Sequence, residues 1–349
     1  MEPVAIVRRR LAAQRLTGEP FATPAEAVRW LGAVQAQEFA EAKWSVALRT
    51  RACTDADVET AFARGEILRT HLLRPTWHFV APADLRWMLA LTAPRVHGAN
   101  RYMYRKLGLG EDELARSLEL VAEALAPGEP RTRAELAGAL RAAGLEAEGM
   151  RLGYLLMHAE LEALIVSGPR RGRQHTYVLL EQRCPEAAPL PREEALAALA
   201  RRFFTSRGPA TVHDFATWSG LTVTDARAGV ALAGDALARE TEWISAPDGG
   251  DDPAGGAFLI PMYDELIMGY KDLKVVLAAP PPRAGLLERA IVIDGLTVGS
   301  WQRTLSAREV RVEATVFRPL EPDESAALEA AVQRFGRCLG RAAQLRSST

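Results

Sequence analysis

The chain has 349 residues, more than a single hydrophobic core usually supports, so we expect several domains. Its 48% hydrophobic and 25% charged residues are typical of a folded protein and exclude disorder along the whole chain. The net charge of −1 excludes a protein that is basic overall, but it leaves room for a local basic face.

The first predicted unit, residues 1–110, combines helical and extended segments. Thr23 and Glu26 have the spacing of a capping box and Pro24 stands at the first helical position, so we expect a helix to begin there. The other predicted segments are helices over 4–16, 56–64 and 84–91 and extended stretches over 67–70 and 76–80.

The second predicted unit, residues 111–190, has a simpler plan. Helical patterns cover 113–125, 132–143 and 149–164, and the second begins with a capping box at Thr132 and Glu135. Two strands then flank a glycine-containing turn, over 164–166 and 175–180. Three helices followed by a hairpin are typical of a winged helix, in which the hairpin is the wing.

The third predicted unit, residues 191–279, follows a proline-rich linker and repeats this order. Its predicted segments are helices over 192–206, 211–220 and 222–237 and extended stretches over 241–245 and 257–261, on either side of an acidic turn at 248–256. Residues 280–349 begin with three prolines and become β-rich, with a hairpin signal at Asp294-Gly295 and a last helix over 324–339. The predicted fold class is α+β, mainly α, with three tandem winged helices and a small C-terminal β-rich element.

The cysteines and the apolar segments indicate the compartment. Cys53, Cys184 and Cys338 are far apart and form no CxxC pattern, which favours a reducing environment and argues against a disulfide framework or structural zinc. No stretch is long and apolar enough to cross a bilayer, and the N-terminal residues lack the apolar core of a signal peptide. We therefore predict a cytoplasmic protein without a membrane partner.

Common enzyme motifs are missing from the sequence. It contains no GxGxxG, P-loop, HExxH or GxSxG pattern, which disfavours nucleotide-phosphate sites and the corresponding hydrolase centres. The histidines show no metal-ligand spacing along the chain; they stand at 71, 78, 97, 158, 175 and 213. We predict that the protein uses no metal and no organic cofactor.

A basic hairpin stands out in the second unit, within residues 167–177. Its candidate DNA-binding residues are Arg170, Arg171, Arg173, Gln174 and His175. One interpretation is a solvated, charged turn. The other is a wing whose arginines pair with DNA phosphates or enter the minor groove. The residues alone leave both interpretations open.

The second candidate site is Gln35-Ala36-Gln37, just beyond the first capped helix. Residues two apart share a side where the chain is extended, so the two carboxamides can converge there. Glutamine is also a good helix former, and such pairs occur by chance. The motif by itself therefore does not decide between a catalytic and a structural role.

Six segments together resemble the AlkZ/YcaQ family of winged-helix DNA glycosylases, in order from about residue 11 to residue 301. They are GAVQAQEFAEAKWSVALRTR, TWHFVAPADLRWML, SGPRRGRQHTYVLLEQR, GPATVHDFATWSGL, LIPMYDELIMGYKD and IVIDGLTVGSW. The resemblance implies three tandem winged helices in a C-shape, a β-rich C-terminal part and excision of alkylated bases.

The resemblance also implies site residues. The QΦQ or QΦD motif of the family is held to position the hydrolytic water, and Gln35 and Gln37 match the outer glutamines of the QΦQ branch, with a small alanine between them. That branch resembles proteins that unhook bulky interstrand crosslinks. The DNA-inserting hairpin of the family corresponds to residues 168–175.

This chemistry is compatible with glutamine side chains. Alkylation at N7 of guanine or N3 of adenine leaves the base cationic and already a good leaving group, so no strong acid is required. An amide can orient a water molecule toward the sugar while the site stabilises an oxocarbenium-like transition state. We predict a monofunctional DNA glycosylase in which Gln37 holds the water and Gln35 orients the water or the sugar. It would act as a monomer on double-stranded DNA that contains alkylated bases, with crosslinks as a second candidate substrate.

Two other interpretations remain open. The chain can be a winged-helix DNA-binding protein without catalysis, such as a transcription regulator, although such regulators are usually dimers. It can also be a ligand-sensing regulator with an apolar pocket. Within PMYDELIMGYKD, Asp264, Tyr270, Lys271 and Asp272 are candidates for positions near DNA. Lys271 is also a candidate Schiff-base nucleophile, but an ion pair with Asp272 or a phosphate contact is the favoured interpretation.

Overall fold

The computed structural model describes residues 3–184, 189–248, 255–272 and 289–348. Three predicted features lie wholly or partly outside these residues: the linker at 185–191, the acidic turn at 248–256, and the unit boundary at 279–280 with its three prolines. Within the described ranges, no helix has the length and apolar character needed to span a membrane.

The first unit combines helices with an antiparallel sheet of strand order β1-β3-β2. Its helices are α1 (Pro3–Ala13), α2 (Pro24–Leu31), α3 (Phe39–Ala47), α4 (Asp55–Arg64) and α5 (Pro82–Lys106), and its strands are β1 (Ala33–Gln35), β2 (Leu68–Leu72) and β3 (Arg74–Val80). The capping box that begins α2 is confirmed, with Thr23 Oγ1 accepting a hydrogen bond from Glu26 N at 3.2 Å. Helix α3 was not predicted, and α5 is much longer than the predicted segment over 84–91.

The second unit has the predicted order of three helices and a hairpin. Its elements are α6 (Glu111–Leu125), β4 (Arg131–Thr132), α7 (Arg133–Ala142), α8 (Gly149–Leu161), β5 (Ile165–Arg171) and β6 (Gln174–Leu179). Strands β5 and β6 pair antiparallel as far as Arg171 and Gln174, and the turn between them contains Gly172 at a φ of +59°, a backbone conformation that favours glycine. The predicted capping box at Thr132 and Glu135 begins α7.

The remaining residues form a small helical unit and a larger sheet. The helical unit contains α9 (Arg192–Arg207), α10 (Val212–Ser219), α11 (Val223–Ala233), β7 (Ala238–Glu240) and β8 (Trp243–Ser245). The other elements are β9 (Ala257–Ile260), α12 (Glu265–Met268), β10 (Ala290–Ile293), β11 (Leu296–Leu305), β12 (Glu309–Val316), α13 (Pro322–Cys338) and β13 (Ala342–Ser348).

Strand β9 does not belong to the third unit, contrary to the predicted range of 191–279. It pairs antiparallel with β10, with Leu259 opposite Ile291, and both residues are fully buried. Strand β8 pairs instead with β7 in a separate two-stranded hairpin. The C-terminal sheet therefore has five strands, in the order β13-β12-β11-β10-β9, and exceeds the small element that the sequence predicts. Apolar β9 gains more by burial in this sheet than it would at the edge of a short hairpin.

The C-terminal sheet packs against the N-terminal helices in one hydrophobic core. Phe335 of α13 lies 4.9 Å from the ring of Trp44 and 5.3 Å from that of Trp301, measured between ring centres. The indole N–H of Trp44 donates to the carbonyl of Leu259 in β9 at 2.7 Å. The second unit has a core of its own, to which Tyr104 at the end of α5 contributes. Helix α5 therefore links the first unit to the second.

Candidate active site

A cleft of about 740 Å³ opens between the first and second units. The first unit forms one wall, with the segment before α3, the start of α3, and strands β2 and β3. The second unit forms the other wall, with the start of α7, helix α8 and the β5–β6 hairpin. The lining residues include Gln37, Glu38, Phe39, Lys43, Arg69, Trp77, Leu152, Arg170, Gln174 and His175. The cleft thus brings Gln37 of the second candidate motif together with residues of the basic hairpin.

The connection from β1 to α3 carries Gln37 into this cleft. The backbone N–H of Ala36 donates to the carbonyl of Trp77 at 2.7 Å, and Arg69 Nε donates to the carbonyl of Ala36 at 3.0 Å. Gln37 itself is half-buried, and its Oε1 lies 3.5 Å from the backbone N of Trp77. These contacts hold a carboxamide at the cleft wall beside the exposed carboxylate of Glu38.

Gln35 lies elsewhere. Its side chain is buried, with 5% of the residue exposed, and its Oε1 accepts a hydrogen bond from Arg74 Nη2 at 2.8 Å. It does not line the cleft. Residues two apart share a side only where the chain is extended, but β1 ends at Gln35 and the chain bends before α3. The two carboxamides therefore have different surroundings.

The basic hairpin divides into residues with different environments. Arg170 Nη1 pairs with Oε2 of Glu59 in α4 at 2.9 Å, and its guanidinium carbon lies 4.8 Å from the ring centre of Phe39. Arg171 points to α7, where Glu135 accepts its two terminal nitrogens at 2.8 and 2.7 Å. Arg173 and Gln174 are exposed, and Gln174 also lines the cleft. The three arginines of the hairpin therefore differ in exposure and in the partners they bind.

His175 is an uncharged group inside this basic cleft. Its ring centre lies 4.8 Å from that of Phe39 in an edge-on contact. Burial, with the nearby charges of Arg69, Arg170 and Lys43, lowers the pKa of His175 to about 4. Its Nδ1 is buried and has no hydrogen-bond partner among the residues that the structure describes. At neutral pH the cleft therefore contains a neutral imidazole with unused hydrogen-bonding capacity.

Two further residues of the cleft are Arg69 and Trp77. Arg69 is 6% exposed, and its guanidinium carbon lies 4.4 Å from the centre of the Trp77 ring. Burial lowers the pKa of Arg69 to about 10, which leaves it cationic at neutral pH. Both residues stand in the predicted extended segments, but nothing in those segments distinguishes a side chain that faces a cleft from one that faces the core.

Comparison with known proteins gives this cleft its context. The sequence model of the AlkZ-like DNA glycosylases matches residues 28–338, most of the chain. The chain belongs to the AlkZ-like DNA glycosylase family. Enzymes of this class are hydrolases that cleave N-glycosyl bonds. Membership confirms the resemblance found in the sequence.

Two relatives support the assignment. The AlkZ-like chain is 27% identical over 321 residues to the interstrand DNA cross-link repair glycosylase of Streptomyces sahachiroi, covering 83% of this chain and 85% of the relative. The structure of the Streptomyces sahachiroi DNA glycosylase AlkZ matches it with a TM-score of 0.82 at 24% identity, over 100% of both chains. The mixed α/β fold is therefore shared along the whole length.

The segment from Asp264 to Asp272 of this AlkZ-like glycosylase is mostly core. Asp264 is fully buried and binds both terminal nitrogens of Arg49 at 2.8 Å. Burial alone would raise the pKa of Asp264, but the Arg49 guanidinium lowers it below its ordinary value. Tyr270 is also buried and donates to the carbonyl of Arg207 at 2.8 Å. Both side chains are thus buried and bound to other parts of the folded chain, which is a structural role. Lys271 and Asp272 are exposed, outside the residues that line the cleft.

Proposed function

We propose that this chain hydrolyses the N-glycosyl bond of cationic alkylated purines in double-stranded DNA, namely N7-alkylguanine and N3-alkyladenine. Gln37 would hold the attacking water. The observation that carries the proposal is that Gln37 lines the same cleft as Arg170, Gln174 and His175 of the hairpin. Family membership supports the reaction class.

The groups in the cleft suit a leaving group that is already charged. A cationic base departs without protonation, and His175, with a pKa of about 4, is a poor source of protons at neutral pH. The Gln37 carboxamide can accept a hydrogen bond from the water and donate another, which orients the water without acting as a strong base. The neighbouring carboxylate of Glu38 can stabilise positive charge that develops on the sugar. Gln35 would act from behind the cleft, by ordering the segment that carries Gln37.

DNA binding would use the hairpin and the neighbouring helices. We propose that the three helical units act as tandem winged helices in a C-shaped arrangement, with the cleft facing the duplex. The order of helices and strands in residues 111–179 and the fold shared with the Streptomyces sahachiroi enzyme support this arrangement. Arg173, which is exposed, would pair with a phosphate, while Arg170 and Gln174 would approach the sugar or base at the lesion.

Interstrand crosslinks are the second proposed substrate. A relative named as an interstrand DNA cross-link repair glycosylase supports this. The cleft lies between two units and is not enclosed within one, which suits a lesion that remains attached to the opposite strand. The proposed catalytic groups all come from one chain, so we propose a monomeric enzyme that works in the cytoplasm on the nucleoid, without a metal or organic cofactor in the reaction.

A base-release assay tests the proposal. The wild type and the Gln37→Ala and Gln35→Ala/Gln37→Ala variants would be mixed with duplexes that carry N7-methylguanine or a nitrogen-mustard crosslink, and abasic sites would be revealed with alkali. Gln302→Ala is the matched control, because Gln302 is exposed on β11 outside the cleft. We expect release by the wild type and the control, and release slower by about a hundredfold or more in the Gln37 variants. Tight DNA binding without release of either base would instead indicate a binding protein.

A further inference from the structure

Three potential metal ligands meet between α5 and α8, outside the described cleft. His97 comes from α5, His158 from the last turn of α8, and Glu162 from the residue that follows α8. One ligand atom from each side chain lies within 4.8 Å of the other two. His158 and Glu162 are four residues apart, so a helical end presents them on one side.

One nitrogen of this cluster has no bonding partner. His97 Nε2 lies 3.0 Å from Glu162 Oε1, so these two ligand atoms already face each other. His158 Nδ1 is buried and has no hydrogen-bond partner in the part of the chain that the structure describes. A buried polar atom without a partner destabilises the fold, and a bound ion would satisfy this nitrogen.

Tyr104 orients the first of these imidazoles. Its hydroxyl lies 3.0 Å from His97 Nδ1. When Nδ1 carries the proton and donates it to the tyrosine oxygen, the lone pair of Nε2 points toward Glu162; metal-binding histidines are commonly held by such an outer hydrogen bond.

We propose that His97, His158 and Glu162 bind a divalent transition-metal ion, with zinc as the preferred ion. Two imidazoles and one carboxylate, with a water molecule at the fourth position, are a common zinc ligand set. Tetrahedral zinc separates its ligand atoms by about 3.4 Å, so the side chains must move together by about 1 Å. The Glu162 side chain is 45% exposed, which leaves access for the ion and the water.

The proposed ion has a structural role. It fastens α5, which links the first unit to the second, to α8, which carries Leu152 of the cleft wall. Zinc binding at this site can be measured without DNA and without catalysis. Its outcome is therefore independent of the proposed glycosylase mechanism.

Zinc titration of the purified full-length protein against a chelating indicator tests the site. We expect one zinc ion per chain with micromolar or tighter affinity, and weakening by about tenfold or more in Glu162→Gln and His158→Asn. His213→Asn is the matched control, because His213 is exposed and outside the cluster. Glu162→Gln changes a partly exposed side chain and therefore keeps the test meaningful if His158→Asn fails to fold.

Cobalt substitution identifies the ligands. A visible spectrum of tetrahedral cobalt without a sulfur-to-cobalt charge-transfer band is expected. At the same zinc concentration, zinc should raise the melting temperature of the wild type and of His213→Asn more than that of Glu162→Gln. A sulfur-to-cobalt charge-transfer band would show that cysteine binds the ion, which would contradict the proposed ligand set. Absence of micromolar binding, or equal affinity in Glu162→Gln, would overturn the proposal.

Discussion

The backbone N–H of Gln35 donates a hydrogen bond of 2.8 Å to Oε1 of Glu265, a residue 230 positions further along the chain. The other oxygen of Glu265 accepts from Arg207 Nη2 at 2.6 Å and from the indole of Trp218 at 2.9 Å. All four residues are buried. One carboxylate thus holds the strand that leads to Gln37 against the third unit.

Replacing Glu265 by glutamine should destabilise the fold severely. The substitution leaves the guanidinium of Arg207 buried without its counter-charge, which typically costs about 3–5 kcal/mol. Urea unfolding would measure the loss. Glu119→Gln is the matched control because Glu119 is exposed, and it should change stability by less than about 0.5 kcal/mol. Equal stability of the two variants would contradict a structural role for Glu265.

Replacing Gln37 should affect activity more than stability, and replacing Gln35 should affect stability more than activity. Gln37→Ala should lower the rate of base release by about a hundredfold or more, with little change in stability, because the side chain is half-buried in the cleft. Single-turnover excision and thermal melting would be measured on the same preparations. A Gln37→Ala enzyme with normal excision would remove this residue from the mechanism.

Gln35→Ala should behave in the opposite way. It removes the oxygen that accepts from Arg74, and the loss of a hydrogen bond to a charged group costs about 1.5–3 kcal/mol. Its melting temperature should fall more than that of Gln37→Ala, and its excision rate at low temperature should fall less. A stable but inactive Gln35→Ala enzyme would show instead that this carboxamide acts directly on the water or the sugar.

Local signals account for what the sequence predicted well. The capping boxes at Thr23 and Thr132 and the hairpin around Gly172 depend on residues only a few positions apart, so short-range chemistry determines them. Gln37 and the hairpin were singled out for the same reason, because their residue types form compact motifs in the sequence.

Long-range pairing explains what was missed. Nothing near Glu265 indicates that it binds Gln35 and Arg207, because both partners come from distant segments. The sequence of strand β9 is equally compatible with pairing to β8 or to β10, and burial in the larger sheet favours β10. His97 and His158 show no ligand spacing, because their contact depends on how α5 packs against α8. These features depend on tertiary packing, which a single sequence does not display.

The arginines of the hairpin should contribute unequally to DNA binding. Arg173→Ala should weaken binding and reduce the slope of log affinity against log salt by about 0.9, as expected for one lost phosphate contact. Arg171→Ala should have less effect, because that guanidinium already pairs with Glu135. Binding isotherms at several salt concentrations would compare them, with Arg173→Lys as the charge-retaining control. Equal losses in both alanine variants would show that DNA displaces the pair with Glu135.

The stability of the protein should depend on pH through His175. The folded state holds the pKa of His175 at about 4, below its ordinary value of 6.5. Between these two values the unfolded chain binds a proton at this residue that the folded chain does not, so stability falls as the pH drops from about 6.5 to about 4. His175→Gln removes the titrating group and should flatten the dependence over that window, while other buried histidines affect both proteins alike. Urea midpoints measured from pH 7 to pH 4 would test this, and parallel curves for the two proteins would mean that His175 titrates normally in the cleft.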